Sequence, residues 1–119
     1  MHPLRLGTRG SELAMVQSGL VAQLVTEKTG REVELVTIRT KGDRIVDRPL
    51  SQIGGKGLFT KAIEDAIIDG TVDFAVHSMK DMPSEQPDEL VIGAVPPRAD
   101  PRDGLVGRKL GDLPAGSVV

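Results

Sequence analysis

Cysteine, tryptophan and tyrosine are missing from these 119 residues, and phenylalanine occurs only twice. Without cysteine the chain can form no disulfide, offer no thiolate to a metal and use no thiol nucleophile. Two aromatic rings provide no stacking platform for single-stranded nucleic acid. Charge of either sign is not in excess: 15 basic and 17 acidic side chains leave a net charge of -2. No overall field therefore recommends nucleic acid or an anionic membrane as a partner, and any anion site must be local. No apolar run approaches the roughly 18 residues of a membrane span, and the segment from Met1 to Gly7 lacks the basic and apolar regions of a secretory signal. The expected compartment is the cytoplasm.

What is present is the composition of an ordinary soluble globular protein, 39% apolar and 27% charged, long enough for one domain with a core. Leu4 to Thr8 reads as a short strand that stops at Arg9-Gly10-Ser11. Leu13, Val16, Leu20, Val21 and Leu24 then recur at helical spacing as far as Gly30. Ser11 is the expected N-cap and Gly30 the expected left-handed residue after the C-terminus. Partial alternation and β-branched content make Glu32 to Thr40 a second strand. Residues 41 to 57 have no period and several glycine and proline breakers, the pattern of a long loop of the kind that covers sites.

Leu58, Phe59, Ala62, Ile63, Ala66 and Ile67 form a second helical stripe, ended by Gly70 before a strand at Val72 to Val76. Strand and helix alternating with short connections predict an α/β fold: a mainly parallel sheet with helices on both faces. Leu90 to Val95 reads as a fourth strand. Pro96 to Asp103, with three prolines and mixed charge, fits a stiff connection between domains. Residues 1–98 are thus expected to be a first lobe, and 99–119 a hinge with the opening of a second lobe too short to bury a core.

Chemistry-bearing residues cluster where the strand at Val72 ends. His77, Ser78, Lys80 and Asp81 follow it directly, and Pro83 prevents regular continuation. In an open parallel sheet, ligand crevices form beyond the carboxyl ends of the strands, where the strand order reverses. With the first strand central, Arg9, Gly10 and Ser11 would face Ser78, Lys80 and Asp81. A helix N-terminus, the Arg9 fork and the Lys80 point charge suit an organic polyanion. Asp81 could donate a proton to a leaving group or hold a developing cation. His77 reads as structural, and no metal site is expected. Gly54-Gly55-Lys56-Gly57 is not a phosphate loop, because the motif needs a Gly further upstream and Ser or Thr after the Lys. Lys56 can instead swing toward a bound anion. The dinucleotide glycine pattern is missing after the first strand.

The runs Leu6-Gly7-Thr8-Arg9-Gly10-Ser11-Glu12-Leu13-Ala14, Thr40-Lys41-Gly42-Asp43, Gly54-Gly55-Lys56-Gly57-Leu58-Phe59, Val76-His77-Ser78-Met79-Lys80-Asp81-Met82-Pro83 and Asp100-Pro101-Arg102-Asp103 together resemble hydroxymethylbilane synthase, or porphobilinogen deaminase, across nearly the whole chain. The resemblance implies an enzyme of three domains, the first two built like the lobes of class II periplasmic binding proteins. It implies a dipyrromethane cofactor, held by a cysteine of the third domain, onto which four porphobilinogens are condensed head to tail with loss of ammonia. Asp81 would match the catalytic aspartate. Lys80, Arg9, Ser11, Ser78 and Lys56 would match groups that hold cofactor or substrate carboxylates, and residues 41 to 57 the mobile cover.

The sequence stops before the family's Thr-Ser-Ser-Leu-Arg-Arg-like segment and lacks the cofactor cysteine. The expectation is the N-terminal part of a monomeric enzyme, inactive alone and able to self-associate. The alternative is a lobe that binds a small organic anion without catalysis.

Overall fold

The computed structural model describes residues 1–49 and 57–119. Its centre is a three-stranded parallel sheet in the order β2-β1-β3, with β1 at Leu4–Thr8, β2 at Val33–Thr37 and β3 at Phe74–Ala75. Register runs from Leu4 opposite Val33 to Thr8 opposite Thr37 on one side, and pairs Leu6 with Phe74 on the other. Arg5 fastens β1 to the start of β3: its side chain and backbone N–H both donate to the Asp73 carboxylate.

The central strand alternates between two layers, as a pleat requires. Thr8 faces α1 (Glu12–Thr29), where Ser18 Oγ donates to Thr8 Oγ1 at 2.9 Å, both residues fully buried. Gly7 faces the opposite layer, that of α3 (Lys61–Ile68). A Cβ there would lie 3.0 Å from Val72 and 3.5 Å from Ile63, so glycine lets the third strand and helix pack against β1. Leu6, Ile63, Ala66 and Val72 are the buried apolar centre. Helices on both faces of a parallel sheet follow, as right-handed crossovers in opposite directions demand.

Both expected caps of α1 are present. Ser11 accepts a hydrogen bond from the Ala14 amide, and Gly30 takes φ 70° while its N–H returns to Thr26 O. The face that α1 turns to the sheet is not the one its large apolar residues suggested. Leu13, Val16, Leu20 and Leu24 are exposed, and the side against the sheet is that of Ala14, Ser18 and Ala22. Small side chains permit close approach to β1, and the helix is apolar on two sides, a pattern suited to burial on both.

Four further expectations are corrected. The loop after Thr40 opens with one helical turn, α2 (Lys41–Arg44), because Thr40 caps it through the Asp43 amide. Helix α3 begins at Lys61, not Leu58, since residues 57 to 60 form a turn entered at Gly57 with φ 70°. The strand expected at 72–76 is only two residues long. Residues 90–95 form no strand: beyond a short 3-10 turn at Met79–Asp81, the only regular element described is another at Leu110–Asp112. Val91 and Val95 are more than two-thirds exposed. The radius of gyration, 17.9 Å, exceeds the roughly 13–14 Å of a compact chain of this length, as expected when this stretch lies outside the core.

Candidate carboxylate-binding site

The site lies where the chain leaves β1 and β3 at their carboxyl ends. Beyond β1 the backbone turns at Gly10, where a Cβ would lie 3.2 Å from Thr37, and enters α1 at Ser11. The first free amides of α1 and the positive end of its dipole thus sit beside Arg9. Beyond β3, the 3-10 turn closes when the Asp81 N–H donates to Ser78 O at 3.0 Å, which throws Lys80 outward and leaves Asp81 half-buried. Ser78 Oγ reaches across to donate to Gln17 Oε1 at 3.2 Å, tying the loop after β3 to α1.

Between them is a cavity of about 250 Å³ whose lining includes Arg9, Ser11, Phe59, His77, Ser78, Lys80 and Asp81. Five of the six residues singled out from the sequence are therefore brought to one cleft. The sixth, Lys56, lies outside the described residues. Ser11 has a second task there, since its hydroxyl is already accepting the capping bond from Ala14.

Arg9 is not a free cation waiting in solvent. Its Nε donates to both Asp43 oxygens at 3.1 Å, and Nη2 donates to Oδ1 at 2.6 Å. Its guanidinium carbon lies 4.0 Å from the centre of the Phe59 ring, a cation-π contact. The hydrogen bond from Arg9, helped by that from Thr40, pulls the Asp43 carboxyl below its ordinary range, burial acting against them. Arg9 is correspondingly raised, first by its bond to Asp43, with Asp81 adding a smaller attraction. Burial pushes the His77 imidazole down, against the attraction of Glu64 and Asp81, which favours a neutral ring beside the cleft. Among the described residues no cluster of three or more His, Cys, Asp or Glu could hold a metal. None of the described helices is long and apolar enough to cross a membrane.

Asp43, Phe59 and Gln17 belong to the site without having been singled out for it. Asp43 had a signal, as Thr40-Lys41-Gly42-Asp43 has the spacing of a helix-capping box. Phe59 was masked by its fit to the apolar stripe of α3, and Gln17 carries no sequence signal at all.

Two cations, two hydroxyls, a helix N-terminus and the Asp81 carboxyl line the cleft, groups able to hold an organic acid and to move a proton. The model of the porphobilinogen deaminase, dipyromethane cofactor binding domain matches residues 4–119. The chain belongs to the porphobilinogen deaminase family. Similar members include porphobilinogen deaminase of Maridesulfovibrio salexigens, 50% identical over 123 residues that cover all of this chain and 40% of the relative. Porphobilinogen deaminase 1 of Streptomyces coelicolor is 56% identical, with 98% of this chain and 37% of the relative covered. That of Syntrophotalea carbinolica is 54% identical, with 98% and 38% covered. The chain thus spans about 40% of the length of these porphobilinogen deaminases.

Proposed function

We propose that this chain contributes the carboxylate-binding and proton-donating wall of a site that condenses four porphobilinogens into hydroxymethylbilane with release of ammonia. The observation that carries this reading is the meeting of Arg9, Ser11, Ser78, Lys80 and Asp81 around one cavity. Porphobilinogen and a dipyrromethane both carry acetate and propionate groups, and the cations of this cleft suit them. Arg9 offers a planar fork and Lys80 a mobile point charge, so the two can take carboxylates of different placement. Ser11, Ser78 and the first amides of α1 supply neutral donors. In the complete enzyme Lys56 would join them.

Asp81 is the proposed catalytic residue. Expelling the substrate amine as ammonia requires a proton on nitrogen as the carbon–nitrogen bond breaks, and the pyrrole ring left behind carries the positive charge. A carboxyl at the cleft floor can assist the first event and, as carboxylate, stabilise the second. The family's dipyrromethane, when bound, supplies the pyrrole carbon to which the first substrate is joined. Its attachment through cysteine falls outside these residues, which contain none. In this reading residues 1–98 are the first lobe, 99–119 the hinge and the opening of the second, and the complete enzyme is a cytoplasmic monomer.

Two measurements test the proposal. Titrating porphobilinogen into the protein should shift the amide resonances of residues 9–11 and 78–81 before any others; shifts elsewhere, or none, would oppose it. In the complete enzyme, Asp81→Asn should lower turnover by about 10²- to 10⁴-fold with little change in the thermal midpoint. Unimpaired turnover would remove Asp81 from the mechanism.

A further inference from the structure

We propose that Asp43 is the positioning residue that makes Arg9 a carboxylate clamp of one orientation, presenting the end-on edge of its guanidinium to the ligand. This rests on the reading of the site given above. A guanidinium can meet a carboxylate side-on, through Nε and Nη2, or end-on, through Nη1 and Nη2. Asp43 takes the side-on edge with all three of its bonds to Arg9. Phe59 covers one face of the plane. A contact in the plane and another perpendicular to it remove the rotations that would otherwise let the group sweep the cleft. Among the described residues, the donors left over are both N–H groups of Nη1 and one of Nη2, and one from each nitrogen forms the end-on edge.

Asp43 is itself held. Thr40 Oγ1 donates to Asp43 Oδ2 at 2.6 Å, and the Asp43 N–H donates back to Thr40 Oγ1 at 3.3 Å. Thr40 is fully buried. A carboxylate anchored this way stays in place when a ligand arrives, so it orients Arg9 and does not compete by leaving. Arg9 and Asp43 side chains are 20% and 22% exposed, sheltered enough for the pair to resist screening by salt.

The first test needs no ligand: the hydrogen exchange rate of the Arg9 Nε–H, followed by NMR. Asp43→Asn should speed it by roughly tenfold or more, the scale of one charge-assisted bond lost. The second is porphobilinogen affinity. Asp43→Asn should weaken it about tenfold in the Arg9 background and leave it unchanged in an Arg9→Gln background, because Asp43 acts only through Arg9. Equal weakening in both backgrounds, or slow Nε–H exchange surviving in Asp43→Asn, would overturn the proposal. If Asp43→Asn fails to fold, Thr40→Val and Thr40→Ser replace it. The Thr40→Val change should speed Arg9 exchange and Thr40→Ser should not; equal rates would count against the arrangement. Failure of the unmodified protein to bind porphobilinogen would refute the reading of the site, and the exchange rate would still decide whether Asp43 orients Arg9.

Discussion

Gly42→Ala is the substitution that most directly probes how the cleft is assembled. Gly42 is buried within α2, its N–H donates to Leu58 O at 2.9 Å, and its backbone lies in a region open to any residue. Alanine should therefore be locally tolerable, and by helix propensity alone it should stabilise by up to about 1 kcal/mol. Sterics oppose this. A Cβ at position 42 would lie 2.6 Å from Phe59 Cδ1 and 2.8 Å from Cζ, with Cε1 nearer still, whereas carbon atoms rest about 3.5–4.0 Å apart. The ring must retreat by about 1 Å to restore that spacing, but Arg9 stacks upon it. Overpacking of this kind costs about 1–3 kcal/mol, and a strained cation-π contact adds about 0.5–1 kcal/mol. The net expectation is a loss of about 0.5–4 kcal/mol, seen as a lower urea midpoint and a thermal midpoint lower by at least about 2 °C. Phe59→Leu should abolish most of the penalty in the double variant. A Gly42→Ala protein as stable as the parent, or one whose loss is the same in the Phe59→Leu background, would show that the α2 to Phe59 contact does not govern this region.

Three other outcomes are expected. The stability that Asp43 contributes should be fully present above its unfolded value near 3.8 and decline as pH falls through its lower folded value, because acid protonates the unfolded carboxyl first; urea midpoints of parent and Asp43→Asn should converge in acid. His77 is held down by burial, so the unfolded chain binds its proton first: stability should fall as pH drops below 6.5, and His77→Asn should flatten that slope. Ser18→Ala removes the donor to Thr8 Oγ1 and leaves a buried acceptor with one partner fewer, costing about 1–2 kcal/mol by chemical denaturation.

What the sequence determined by itself was whatever depends on near neighbours in the chain. The caps of α1 at Ser11 and Gly30, the strand at Leu4–Thr8 and the parallel order around β1 were legible because capping, periodicity and crossover handedness are local or nearly so. The grouping of Arg9 and Ser11 with Ser78, Lys80 and Asp81 followed from that topology, since loops after adjacent parallel strands open on the same edge of the sheet. The tertiary structure alone decided which face of α1 meets the sheet. Periodicity counts large apolar side chains, whereas the close approach to β1 selected Ala14 and Ser18. It also decided that Leu90 to Val95 would form no strand, although β2 and β3 each keep an outer edge: β propensity does not by itself bring a segment to an edge. The state of Arg9 was likewise settled in three dimensions: Asp43 is 34 residues away along the chain, and only folding brings its carboxylate onto the guanidinium and sets Phe59 beneath it.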